Sequence, residues 1–355
     1  MENRNTNHNI QALRAIAILL VIIQHLHRLP IPEWLMITYS SASYWSGVDI
    51  FLAISGFLMC KSLETEISHH GRTASAFSSF FKKRVFRLIP ALVVWAVICM
   101  LIAYILHPYN NISLDKSIDT LIYSLLGISN IFYFQKTISG ISYDPLLSVT
   151  WSLSLEWQLY FLLSLLAISF TRKKLYLSLL AIIVASSMFL PNNINHQETI
   201  GWWIRPQAFI FGSLMYLSKN IISKIKINKH LSILLCIVCI FALVFYTSAM
   251  PSQLKLLFIG ILGSATFMLL ALKTPPFNSR ILEWIGDRSY SIYLCHIPVM
   301  IITRVTLDHY FANSSLLNSP LVYISIFFLI TGICSTLSYR YIEKPFIIFY
   351  RRSHT

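Results

Sequence analysis

Runs of about 20 apolar residues, separated by short polar or basic loops, fill most of this chain, and that is the length a helix needs to cross a bilayer. They lie near residues 10–29, 45–62, 88–107, 150–170, 174–190, 204–218, 231–248, 254–272, 289–308 and 320–342. The stretch 118–149 breaks the pattern. It opens apolar, as DTLIYSLLGISNIFYF, and then runs through QKTISGISYDPLL. We read it as an outer-face segment that dips into the membrane and returns. Counting it as a crossing would put the cluster Arg172-Lys173-Lys174 on the outer side, against the usual bias of basic loops. The pattern therefore predicts an all-α polytopic membrane protein of about ten transmembrane helices, with a re-entrant outer segment at 118–149. Residues 1–355 are expected to form one transmembrane domain.

Composition agrees. The chain is 56% hydrophobic and 12% charged, whereas soluble domains carry about 25% charged residues. A net charge of +14 raises the question of nucleic-acid binding, but the basic residues sit in short clusters between apolar runs, so no nucleic-acid partner is expected and membrane lipid is. With both termini inside, only Arg28, Lys116, Lys136, Arg205, Lys255 and Arg304 of the 28 Lys and Arg remain outside. That asymmetry predicts cytoplasmic N- and C-termini. The first apolar run is long enough to span and lacks a small-x-small cleavage site, so it is not read as a cleavable signal. Six cysteines lie in or beside apolar runs. Cys236 and Cys239 form a CxxC inside one such run and are read as ordinary small apolar residues, with no metal site expected.

Chemistry enters with the ionisable residues inside the spans, which are costly there and mark reaction sites or pathways. Arg14 and His25 share the first run, eleven residues apart. Eleven steps of 100° return to within about 20°, so both lie on one helical face, about 16 Å apart along the axis. In a core of about 30 Å, Arg14 lies about 6 Å from the inner surface and His25 about 22 Å from it. Asp49, in WSGVDIFLAISGF, lies about 6 Å from the outer surface, and Glu156, in TWSLSLEWQLYF, about 9 Å. The three therefore share a depth band, and a carboxylate that holds an imidazole is the ordinary layout of an oriented general base.

The inner side carries SFFKKRVFRLIP. Arg84 and Arg87, i and i+3, share a face and suit a phosphorylated ligand through bidentate pairing. Pro90 is read as lying near the start of the third span, where proline is tolerated. His296, in SYSIYLCHIPV, is read about 10 Å above the inner surface, either as a packed residue or as part of the lining of a donor channel. Arg205, in WIRPQAFIFG, is a candidate to hold an acceptor or to pair with Glu156. Glu343, in YIEKPF, is read as a structural ion-pair partner. Ser152 and Ser154 lack a surrounding nucleophile elbow and are read as turn or capping residues.

Taken in order, Arg14–x10–His25, GVDIFLAISGFLM, KKRVFRLIP, TWSLSLEWQLYF, SYSIYLCHIPV and YIEKPF resemble the acyltransferase-3 family of membrane-bound O-acyltransferases. The resemblance runs from about residue 9 to 347. It implies ten transmembrane helices and transfer of an acyl group, usually acetyl, from cytoplasmic acyl-CoA to a hydroxyl of a glycan or other acceptor. It makes His25 the essential histidine, Arg14 its partner motif, and Arg84 and Arg87 the paired arginines of donor handling. Asp49 and Glu156 match acidic motif positions. Lys83 stands where arginine is frequent, and Trp157 where a second acidic residue is frequent. Many relatives carry a hydrolase-like domain on the outer side, and none is read here, so direct acylation or a separate protein is expected to complete the reaction.

The expected catalytic set is thus His25, Asp49 and Glu156, with Arg14, Arg84, Arg87 and His296 toward acetyl-CoA and Arg205 toward the acceptor. Asn-, Ile- and Lys-rich usage points to a bacterial modifier of surface polysaccharide such as O-antigen, in the inner membrane. A proton-coupled transporter or flippase is the alternative, since buried His, Asp, Glu and Arg suit that class as well; the lack of a visible internal repeat counts against it.

Overall fold

The structure is a computed structural model and describes residues 7–107, 112–191, 197–249, 252–274, 279–311 and 319–352. It is 84% helical, with no strand among the described residues. Eight helices among them are long and apolar enough to cross a membrane. The chain is an all-α polytopic membrane protein.

The first helices set the frame. Helix α1, His8–His25, starts at Asn7, whose side chain accepts from the amides of Asn9 and Ile10. Helix α2, Gly47–His70, returns across the bundle. Helix α3, Ala74–Leu106, begins at Thr73, whose hydroxyl accepts from the Ala76 amide. It starts well before the KKRVFRLIP motif, so Pro90 lies in the helix interior and not near its start. The N-cap at Thr73 moves the boundary to the cytoplasm-expected side of the basic cluster.

The stretch read as re-entrant forms two helices, α4, Leu114–Leu125, and α5, Ser129–Ile138, joined through Gly127 at φ +70°. At 12 and 10 residues both are too short to cross. Irregular chain from 139 to 149 then leads into α6, Thr150–Ser169.

Helix α7, Arg172–Phe189, and helix α8, Gln207–Leu217, occupy the two expected spans outside the group of eight. Three basic residues open α7. Helix α8 has only 11 residues, because Pro206 makes an extended conformation natural at Arg205 and breaks the run after the single turn Ile200–Trp203. It is held by tight packing against α2. A Cβ at Gly56 would run into the Phe209 carbonyl, and one at Gly212 into the Ala53 carbonyl. Only glycine allows that approach, and the Ser213 hydroxyl then donates to the Gly56 carbonyl at 3.1 Å.

Helix α9, Lys229–Phe241, and helix α10, Ser252–Phe267, follow, each running on into a π-turn. Then come α11, Arg280–Asp287, α12, Ser289–Tyr310, and α13, Pro320–Ser338, which continues to Arg352. Two-thirds (67%) of the apolar windows of α2 and α12 is buried, against 28% for α9 and α13. Helices α2 and α12 are therefore central, and α9 and α13 turn most of their surface outward.

Candidate active site

Two cavities open inside the bundle, one toward the end that holds the start of α1 and one toward the opposite end. The first is lined by Arg14 of α1, Arg84 and Arg87 of α3, Glu156 of α6 and Glu343. The second, about 210 Å³, is lined by His25, Arg28, Trp45, Trp151, Trp202 and Trp203, among others. Val48 and Tyr293 line both, so the cavities share a wall.

In the second cavity the histidine's partner is another histidine. His296 Nδ1 lies 2.8 Å from the Tyr293 carbonyl oxygen and 3.1 Å from that of Ile292. Carbonyls only accept, so Nδ1 of that ring carries the proton and Nε2 of the neutral imidazole is an acceptor. This Nε2 lies 3.2 Å from His25 Nδ1, which is also 2.9 Å from the Val21 carbonyl. Both neighbours accept, so His25 Nδ1 is the protonated nitrogen. The lone pair of His25 is then on Nε2, the atom a general base needs free.

Neither expected carboxylate holds His25. Asp49 is 2% exposed and ion-paired with Arg205, itself 1% exposed, at 3.6 Å. The Arg205 guanidinium carbon lies 4.8 Å from the ring centroids of Trp45 and Trp151, and 5.5 Å from that of Trp202. Arg205 thus pairs with Asp49 and not with Glu156, and it lies outside the lining of both cavities. Glu156 accepts from the hydroxyls of Ser55 and Tyr160, and it lines the arginine cavity. Depth alone grouped it with His25; the rotation of α6 turns it toward α2 and α3.

His296 is fully buried and lines neither cavity, the position of a packed residue. Its helix carries it up to His25. Arg84 and Arg87, on one face of α3, meet Arg14 of α1 in the first cavity. Among the described residues none of these three guanidinium groups is in an ion pair with a carboxylate. Lys83, by contrast, is taken by Glu66.

Several lining residues were not legible in the sequence. Glu343 was read as an ion-pair partner, yet it accepts from Ser291 Oγ and faces the arginine cavity. It closes the π-turn Tyr339–Glu343, a local widening that re-aims a side chain. Tyr293 donates to the Val149 carbonyl at 3.1 Å and shares a 2.6 Å hydrogen bond with Ser152. Ser154 bonds Ser129, so both serines have structural partners. The four tryptophans of the second cavity come from three separate segments, and only the adjacent pair Trp202-Trp203 hinted at clustering. The six cysteines are free, and no group of His, Cys, Asp and Glu among the described residues has metal-site geometry.

The arrangement has two chemical halves, an arginine cavity and an imidazole with an available lone pair, on either side of one wall. Residues 7–339 match the acyltransferase domain of the acyltransferase-3 family. The O-acetyltransferase OatA of Staphylococcus aureus is 26% identical over 364 residues, covering 95% of this chain and 56% of the relative. A putative O-acetyltransferase of the same species is 26% identical over 366 residues with the same coverage. The chain thus spans about half the length of the curated relatives it matches. No solved structure matches. With a family match over nearly all of its length, the chain belongs to the acyltransferase-3 family.

Proposed function

We propose that this protein is an integral-membrane O-acyltransferase that moves an acetyl group from cytoplasmic acetyl-CoA to a hydroxyl of a cell-surface glycan, an O-antigen or similar polysaccharide. The observation that carries the reading is the shared wall: Val48 and Tyr293 separate a cavity of three arginines from a cavity holding a histidine base. An acyl carrier anchored by its phosphates in the first needs to pass only that wall to meet a hydroxyl in the second. Both termini then lie in the cytoplasm of a bacterial inner membrane.

Arg14, Arg84 and Arg87 pair with the phosphates of the donor, where planar guanidinium forks match phosphate oxygens. His25 Nε2 takes the proton from the acceptor hydroxyl as its oxygen attacks the thioester carbon. The C–O bond forms and the C–S bond breaks, and the proton on His25 passes to the departing CoA sulfur. His296 is a positioning residue: it holds the His25 tautomer with Nε2 free. Asp49 and Arg205 fix the wall behind the cavity. Glu156 and Glu343 set the charge of the donor cavity.

The test is acetyl transfer from acetyl-CoA by purified protein in detergent, read by mass spectrometry of the glycan. His25→Ala is expected to lower transfer by about 10²-fold or more with unchanged insertion. His296→Ala should give a smaller loss, in kcat, because the base remains and the Val21 carbonyl still accepts from Nδ1 while the second acceptor that orients the ring is gone. Full glycan acetylation by His25→Ala would overturn the mechanism.

A further inference from the structure

We propose that the tryptophan wall of the histidine cavity is the acceptor subsite, and that it holds one pyranose ring by stacking its C–H face on the indoles. The inference rests on the acyl-transfer reading above and names where the acceptor sits. Trp45 comes from the turn before α2, Trp151 from the first turn of α6, and Trp202 and Trp203 from the Ile200–Trp203 turn. They form one connected surface, with centroid separations of 5.4 Å for Trp45–Trp202, 6.2 Å for Trp151–Trp202 and 5.8 Å for Trp151–Trp203.

Tryptophans near a membrane surface commonly serve as interface anchors. These do not, because Trp151 and Trp203 are 9% and 2% exposed and all four line an internal cavity. Their orientation is fixed from behind. Arg205 lies against three of the rings and is absent from the cavity lining, so the cation sits on the bundle side of the wall. Trp203 is also pinned, its indole N–H donating to the Gln197 carbonyl at 2.7 Å.

A sugar ring presents an apolar C–H face and a rim of hydroxyls. It needs a flat aromatic platform edged with amide and hydroxyl groups. The cavity supplies that edge through Gln24, Ser148 and Gln197, with His25 in the same lining. A ring stacked on the indoles thus brings its hydroxyl rim into the cavity that holds the base. An acyl chain or a simple alcohol would use neither an indole face nor the amide rim.

The experiment uses full-length protein in detergent, acetyl-CoA as donor, and as acceptor a soluble oligosaccharide repeat prepared from the host's de-O-acetylated surface polysaccharide. Trp202→Leu keeps apolar bulk and removes the aromatic face; Trp202→Phe keeps a face. The leucine variant is expected to raise the acceptor KM about tenfold, the phenylalanine variant much less, with the acetyl-CoA KM unmoved in both. In wild-type protein without donor, the oligosaccharide should shift tryptophan emission, a readout that needs no variant to fold. An acceptor KM in Trp202→Leu equal to wild type, or an unshifted emission at saturating acceptor, overturns the subsite while leaving acyl transfer standing. If wild-type protein acetylates another hydroxyl compound and no oligosaccharide, the glycan reading falls, and this subsite with it.

Discussion

At the scale of the residue, the ion pair Asp49–Arg205 shows how far one contact can sit from its expectation. Both groups are costly in a bilayer, and both were expected at a reaction centre. They are instead each other's partner at 3.6 Å, enclosed by indoles. Removing one charge leaves the other buried without compensation, at a cost of about 3–5 kcal/mol. Asp49→Asn or Arg205→Met alone should therefore lower the melting temperature in detergent substantially. The double variant Asp49→Asn/Arg205→Met should recover a good part of the loss. Equal destabilisation by the double and the sum of the singles would show that the pair is not coupled. His25 gives the complementary lesson: its place on the face of Arg14 was readable from an eleven-residue spacing, and its partner His296, 271 residues away, was not.

At the scale of the element, the stretch between α3 and α6 acquires a purpose. Too short to cross, it delivers Tyr143, Pro145, Ser148 and Val149 to the wall of the histidine cavity. Asp144 anchors this segment. It is fully buried, accepting from the Ser117 hydroxyl at 3.0 Å and the Leu146 amide at 2.9 Å. Burial pushes its carboxyl above the ordinary aspartate range, despite those hydrogen bonds. The folded state then binds its proton more tightly than the unfolded chain does. Stability from this group is present below the unfolded pKa and is lost as pH rises through the folded one. Asp144→Asn, whose Oδ1 still accepts from Leu146 and whose Nδ2 donates to the Ser117 hydroxyl, should flatten the pH dependence of the melting temperature across that window. A pH profile identical to wild type would exclude a contribution from Asp144. Helix α8, read from the sequence at 204–218, runs from Gln207 to Leu217 and is held by the glycine contacts with α2.

At the scale of the whole molecule, the two cavities and their common wall predict that donor and acceptor parameters separate. Arg84→Ala should raise the acetyl-CoA KM by about tenfold or more and leave the acceptor KM in place, with Arg84→Lys restoring part of the loss. An acetyl-CoA KM unchanged in Arg84→Ala and in Arg87→Ala would remove the arginine cavity from donor binding.

The sequence by itself determined the class of the molecule, the positions of most helices, and the shared faces of Arg14 with His25 and of Arg84 with Arg87. These follow from local rules: span length, a 3.6-residue period and a fixed rise per residue. Only the tertiary structure decided who faces whom. Depth is set along a helix, but partners are set by each helix's rotation and by which neighbour it packs against. That is why Glu156 faces the arginines, why His296 meets His25, and why tryptophans from three distant segments close around one cavity.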